Sequence, residues 1–176
     1  THYGAWQRGI ASEGGWFFGY DDPDTPPAFD TVVVLMPKSR SELTMRLAWG
    51  AARLAPGGEL WLVGAKREGI ARGSRQFQER FPGAFKVDNA RHCQLWCVVP
   101  EAQAAPFSVN DWLEPIRVDA PDTTLELYSL PGLFSEGRLD EGTRQLLATV
   151  SEQPGVPVLD LACGNGVIGA WLLHHW

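Results

Sequence analysis

The sequence predicts an α/β layered protein: one whole small domain, followed by the opening of a second α/β unit. Two observations carry that prediction. From residue 29 to 99, apolar β-branched runs alternate with helical patterns in the order strand, helix, strand, helix, strand. From residue 156, a second apolar run leads into a glycine turn and then a helix. The composition agrees, because 44% hydrophobic and 20% charged residues over 176 positions supply a packed core without the signature of disorder.

The elements follow in order. WFFGY (16–20) suits a strand, and DDPDTPPA (21–28) is a loop where proline forbids a regular element. FDTVVVLMP (29–37), β-branched from Thr31 to Val34, reads as a buried strand that Pro37 ends. Ser39 and Glu42 have the S-x-x-E spacing of a capping box. Leu43, Leu47, Ala51 and Leu54 then share one helical face until Pro56-Gly57-Gly58 turns the chain. ELWLVG (59–64) is a strand, AKREGIARGSRQFQERFPG a loop leading into a polar helix, and HCQLWCVV (92–99) another strand. The first domain is read as 1–100, with 101–125 as a linker holding a short helical turn. Residues 126–176 open the second domain. TTLELYSLPGLFSEGRLDEGTRQLLATV (123–150) runs as strand, loop and helix; Asp140 starts the helix, and Leu146, Leu147 and Val150 form its apolar side.

The totals exclude several classes. No apolar run of about eighteen residues is present to span a membrane, and no charged leader precedes an apolar stretch. The chain opens on Thr1 rather than Met, so its N-terminus is expected to be incomplete. Three cysteines, an odd number, point to a reducing, cytoplasmic setting. Cys93 and Cys97 on one strand face make a poor zinc site without a second pair, and both are expected to be buried. His92, His174 and His175 lack acidic or cysteine partners at ligand spacing, so no chemistry is assigned to them. The eight tryptophans are read as core and interface fillers. A net charge of −6 disfavours indiscriminate nucleic-acid binding. Residues 66–91 run against that trend. Lys66, Arg67, Arg72, Arg75, Arg80, Lys86 and Arg91 face only Glu68, Glu79 and Asp88, leaving +4 locally. That stretch is either a phosphate-contacting patch or an ordinary solvated face.

The glycine turn carries the chemistry. VPVLDLA (156–162) reads as an apolar strand, and Gly164, Gly166 and Gly169 form G-x-G-x-x-G at the entry to a helix. Glycines let a ligand approach the backbone, and a helix start offers unpaired N–H groups. Nicotinamide, flavin and S-adenosylmethionine sites all share this pattern. Asp160, four residues before the first glycine, narrows the choice. A carboxylate suits the cationic amino-acid end of S-adenosylmethionine and repels a pyrophosphate. A structural carboxylate serving loop N–H groups is the plain alternative.

GLFSEGRLDEGT followed by VLDLACGNGVIG resembles the ribosomal RNA guanine-N2 methyltransferases, and MPKSRSE with LAPGGELWLVGAKREGI extends the likeness backward. The resemblance implies two Rossmann-like methyltransferase-type domains, of which only the second binds cofactor and catalyses. It implies S-adenosyl-L-methionine as cofactor, and ribosomal RNA or a ribosomal subunit as partner. Asp160, Ala162, Gly164 and Gly166 would line the cofactor's methionine end and backbone. Phe134, Ser135, Asp140 and Thr143 match the loop that closes over it. Ala162 departs from the family's usual glycine, and the turn is expected to survive.

By the same resemblance, residues 29–64 have the layout of a catalytic half whose strand ends in Asn-Pro-Pro-aromatic. Here those positions read Met36-Pro37-Lys38-Ser39. Methionine is no strong acceptor for a base amine and lysine cannot stack as a ring, so this half is expected to serve in scaffolding or RNA handling. No Asn-Pro-Pro-aromatic motif occurs, and only seven residues follow Gly169, so the chain is read as lacking a finished methyl-transfer site. Val167, Ile168, Trp171, Leu172 and Leu173 make the last helix apolar on several sides. Leaving them in water forgoes roughly 8–15 kcal/mol. That helix must therefore dock elsewhere, self-associate with another copy, or lose order. Two rival functions stay open: a non-catalytic RNA-binding or assembly module, and a nicotinamide-binding oxidoreductase fragment.

Overall fold

The computed structural model describes Tyr20 and residues 29–134, 137–153, 155 and 157–176. Apart from Tyr20, the strand expected over 16–20 and the loop over 21–28 lie outside the described residues. The first unit comprises β1 (Phe29–Leu35), α1 (Arg40–Ala52), β2 (Leu54–Ala65), α2 (Ile70–Arg80), β3 (Phe85–Ala90) and β4 (Cys93–Val98). Its sheet runs in the order β1-β2-β4-β3. β1 and β2 are parallel, while β4 is antiparallel to both of its neighbours.

Alternation along the strands puts the core on one face. Val34, Leu60, Leu62, Trp96 and Val98 meet Leu43 and Leu47 of α1 and Ile70 and Phe77 of α2, all buried. α1 begins as expected, with Ser39 Oγ accepting from the Glu42 N–H at 3.4 Å. It ends earlier than expected, at Ala52 rather than at Pro56. The Phe29 N–H takes the Arg53 carbonyl at 3.1 Å, so pairing with β1 begins where a further helical turn would have formed. Leu54 is thus a strand residue, although still buried as its helical reading required. Pro56-Gly57-Gly58 lies inside β2 as an irregularity, and the register steps from Phe29 opposite Leu54 to Thr31 opposite Glu59. A side chain at Gly58 would meet the Phe29 carbonyl at 2.9 Å, which explains the glycine there.

β3 is a strand that the periodicity did not show. All six of its residues are exposed, so it carries no buried alternation and is held by backbone pairing to β4. Its hairpin turn is made by Arg91 and His92 at φ 49° and 65°, without the asparagine–glycine pair that usually marks such a turn. Cys97 is buried as expected, but Cys93, at the mouth of that hairpin, is exposed.

The second unit opens with a hairpin of β5 (Glu114–Ala120) and β6 (Thr123–Ser129), turning at Asp122 with φ 63°. β5 falls within the stretch read as linker, after the expected helical turn at Val109–Trp112. α3 (Glu141–Thr149) and α4 (Val167–His175) pack on the hairpin around Ala120, Leu125, Leu147 and Trp171. Part of the last helix docks on the hairpin, one of the three outcomes expected for it. Trp171 is buried and its Nε1–H donates to the Pro121 carbonyl at 2.9 Å, while Val167, Ile168 and Leu172 are half-buried. Leu173 alone of the five stays fully in water, 86% exposed.

Among the described residues of the strand expected over 156–162, none is extended: 157–160 are irregular and Leu161–Ala162 is a turn. Leu159 and Leu161 are 82% and 84% exposed. An apolar strand of this kind needs neighbours to take up its N–H and C=O groups, and among the described residues the only nearby sheet is the β5–β6 hairpin, already paired within itself. No helix among the described residues is long and apolar enough to cross a membrane.

Candidate functional site

The corner that leads into α4 is built from alternating left-handed residues. Ala162, Gly164 and Gly166 have φ of 62°, 57° and 73°. Gly164 and Gly166 adopt this conformation freely, but Ala162 holds it against the clash of its own Cβ. The turn survives the alanine, as expected, at the cost of local strain. The Gly166 N–H closes it on the Cys163 carbonyl at 2.9 Å, and Gly166 then caps α4. Gly169, in the first turn of the helix, lies beside Asp160: a Cβ there would stand 3.9 Å from Asp160 Oδ2, an ordinary contact distance.

Asp160 is the chemically loaded member of the corner. Its Oδ2 is buried and has no hydrogen-bond partner among the described residues. It lines a cleft of about 400 Å³ with Gln153, Val158, Gly169, Leu172, Leu173 and Trp176. A desolvated carboxylate oxygen without a donor is unfavourable until one arrives. An ammonium group in a mostly apolar cleft satisfies it and gains a charge-assisted hydrogen bond. Among the described residues, no loop N–H reaches Asp160 Oδ2.

The other expected residues are placed differently. Asp140 and Thr143 come together as the cap of α3: Oδ1 accepts from the Thr143 N–H at 3.1 Å and Oδ2 from its hydroxyl at 2.5 Å. These bonds, the hydroxyl one first, hold the Asp140 carboxyl below the usual aspartate range. Phe134 is 72% exposed, and Ser135 lies outside the described residues. No hydrogen bond or ring contact among the described residues joins Phe134, Asp140 or Thr143 to the glycine corner.

One pair escaped the sequence reading. Ser129, buried at the end of β6, donates through Oγ to Asn165 Oδ1 at 3.1 Å and ties the corner to the hairpin. A signal was present, since Ser129 follows Leu125 and Leu127 in the inward period of the strand and is the polar exception among them.

In the first unit, Met36 follows β1 and Pro37 is buried. Met36 is seated between β2 and α2, where a Cβ on either Gly64 or Gly73 would overlap it. Lys66, Arg67, Arg72, Arg75, Arg80, Lys86 and Arg91 are all exposed. Lys86 lies over the Trp96 ring at 5.3 Å, and Arg80 over Phe81 at 5.8 Å. Burial, with Glu59 adding to it, pushes the Cys97 thiol upward and away from reactivity.

Comparison with known proteins decides the family. The N-terminal part of the methyltransferase small domain matches residues 1–116, and the methyltransferase small domain itself matches 124–176. The chain belongs to the methyltransferase small-domain family. Relatives of this family member include the ribosomal RNA small subunit methyltransferase C of Hahella chejuensis, 39% identical over 96% of this chain and 49% of that protein. The protein of the same name from Stutzerimonas stutzeri is 47% identical over 86% of this chain and 46% of its own length. The chain therefore spans about half the length of the curated relatives it matches. Among solved structures, the T. thermophilus 16S rRNA N2 methyltransferase in complex with AdoMet and guanosine superposes with a TM-score of 0.60. That match has 23% identity and covers 70% of this chain and 33% of the other, so it supports the methyltransferase small-domain fold.

Proposed function

We propose that this chain is the non-catalytic first domain, and the cofactor-binding opening of the second, of an enzyme that methylates a guanine N2 amine in ribosomal RNA. The observation that carries the reading is the partnerless Asp160 Oδ2 beside a left-handed glycine corner. The names of the relatives agree with it. S-adenosylmethionine supplies a methyl group made electrophilic by a sulfonium. Asp160 holds the ammonium of its amino-acid end, and Ala162, Gly164 and Gly166 let its backbone come close. Phe134, Ser135, Asp140 and Thr143 belong to the loop that shields it. The protein's share in such a transfer is orientation and electrostatics.

The first domain is proposed to hold RNA without acting on it, because methionine and lysine stand at 36 and 38 in place of an amine acceptor and a stacking ring while seven exposed cations line its surface. The nicotinamide alternative fits poorly, since an unneutralised carboxylate faces the site a pyrophosphate would use.

The test uses the chain joined to the continuation its relatives carry, with labelled S-adenosylmethionine and small-subunit ribosomal RNA. Label should enter guanine, and Asp160→Asn should weaken cofactor binding about tenfold or more, the worth of one charge-assisted bond. Methylation undiminished in Asp160→Asn, or binding of NAD in preference to S-adenosylmethionine, refutes the proposal.

A further inference from the structure

A cleft of about 290 Å³ opens where residues 104–112 pass Arg80, the last residue of α2. Small-molecule sites begin at about 300 Å³, so this one suits a single small ring system. Its wall is fixed locally. Ser108 accepts from the Asn110 N–H through Oγ at 3.3 Å and from the Asp111 N–H through its carbonyl at 3.2 Å. These bonds set the helical turn at Val109–Trp112 and with it the side chains of Asp111 and Trp112.

Rings and charges share that wall. Phe107 and Trp112 have planes 20° apart and centroids 6.2 Å apart, the spacing of an offset aromatic pair. Tyr20 abuts Phe107, and its carbonyl accepts from the Trp49 indole N–H at 2.6 Å, which ties the pair to α1. Arg80 and Asp111 line the same cleft, both exposed. Among the described residues neither has an ion-pair partner, and the Asp111 carboxylate accepts no hydrogen bond.

This set of groups is complementary to a nucleotide. Bases stack on aromatic side chains, and a guanidinium fork takes a phosphate. A carboxylate only accepts, so it selects the base that offers it adjacent donors. Guanine alone of the RNA bases does so, with N1–H beside the N2 amine. Adenine and cytosine set one donor next to a ring-nitrogen acceptor, and uracil flanks its N–H with carbonyls. Each of these would aim a lone pair at Asp111.

We infer that the cleft is a guanosine subsite: Phe107 and Trp112 stack the base, Asp111 reads its N1–H and N2 amine, and Arg80 holds a phosphate. That the guanosine belongs to an RNA strand rests on the proposed RNA-holding role of the first domain. The choice of base rests on the cleft itself.

The experiment uses the whole protein without cofactor, and labelled single strands of uridine with one central guanosine, adenosine or cytidine. The wild-type protein should bind the guanosine strand about tenfold more tightly, the discrimination of one bidentate pair. A methyl-transfer site also takes guanosine, so Asp111→Asn is the decisive comparison. Losing a negative charge should leave the adenosine strand bound as well or better, while the guanosine preference falls at least severalfold. Arg80→Gln should weaken all the strands alike and flatten the salt slope by about 0.7. A 6-thioguanosine strand should cross-link to Phe107 or Trp112, which reports the stack without disturbing the fold. Equal binding of all the strands by the wild-type protein, an undiminished guanosine preference in Asp111→Asn, or cross-links only elsewhere overturns the inference. A protein that binds no RNA but binds guanosine monophosphate through Asp111 refutes the RNA-holding role and sustains the subsite. Binding of neither ends it.

Discussion

Ser129 Oγ and Asn165 Oδ1 lie 3.1 Å apart, joining the end of β6 to the middle of the glycine corner across 36 residues of chain. This bond fixes a turn whose own residues make few others. Ser129→Ala leaves a partly buried amide oxygen unpaired and should lower stability by about 1–2 kcal/mol, measured by urea unfolding. Asn165→Ala removes the acceptor instead and should cost a similar amount. If Ser129→Ala unfolds at the wild-type midpoint, the corner is not held from β6.

Ala162 occupies the left-handed region at φ 62°. That conformation costs a residue with a Cβ about 1–2 kcal/mol, and glycine's greater freedom when unfolded takes back about 0.5–1 kcal/mol. Ala162→Gly should therefore raise stability by about 0.5–1 kcal/mol, while Gly164→Ala should lower it. A destabilised Ala162→Gly protein would show that the alanine methyl packs usefully.

The Asp140 carboxyl titrates below its ordinary range because the Thr143 hydroxyl and N–H both donate to it. A carboxyl depressed in the folded state stabilises fully above its unfolded pKa and progressively less as pH falls toward the folded value. Thr143→Val removes the hydroxyl donor, the larger of the two causes. The Asp140 pKa, followed by carbon-detected NMR, should move up toward the ordinary range. The loss of stability on acidification below about pH 4 should then become shallower. An Asp140 titration identical in the variant would contradict the assignment.

Met36 and Gly73 form a complementary pair, because a side chain at Gly73 would overlap the Met36 sulfur. Gly73→Ala alone should destabilise by about 1–3 kcal/mol through overpacking. Met36→Ala alone should cost about 2 kcal/mol through the gap it leaves. The double variant should be more stable than the sum of the two losses implies, a coupling read from a double-mutant cycle. Strict additivity would mean that the methionine sits elsewhere.

If the exposed cations from Lys66 to Arg91 meet RNA, neutralising Arg72, Arg75 and Lys86 together should flatten the salt dependence of binding. Each lost contact to single-stranded RNA lowers the slope by about 0.7, and to duplex by about 0.9. An unchanged slope would reduce these residues to an ordinary solvated face.

The sequence by itself determined the α/β order, the core of α1 and the identity of the corner. Leu43, Leu47 and Ala51 announce a helix face by spacing alone, and a glycine pair after an apolar run announces a turn, because both are local properties of the chain. It could not show that Leu54 had left the helix, since a buried leucine satisfies either reading and only pairing with Phe29 chose between them. Nor could it show β3, whose residues face water and whose existence depends on β4 lying beside it. The apolar run before the corner is the reverse case: its pattern asked for a strand, but a strand exists only where neighbours accept its backbone bonds. Tertiary structure alone brought Met36 between two glycines and Ser129 to Asn165. Each is a contact between distant segments, and nothing in local spacing encodes how two such segments approach.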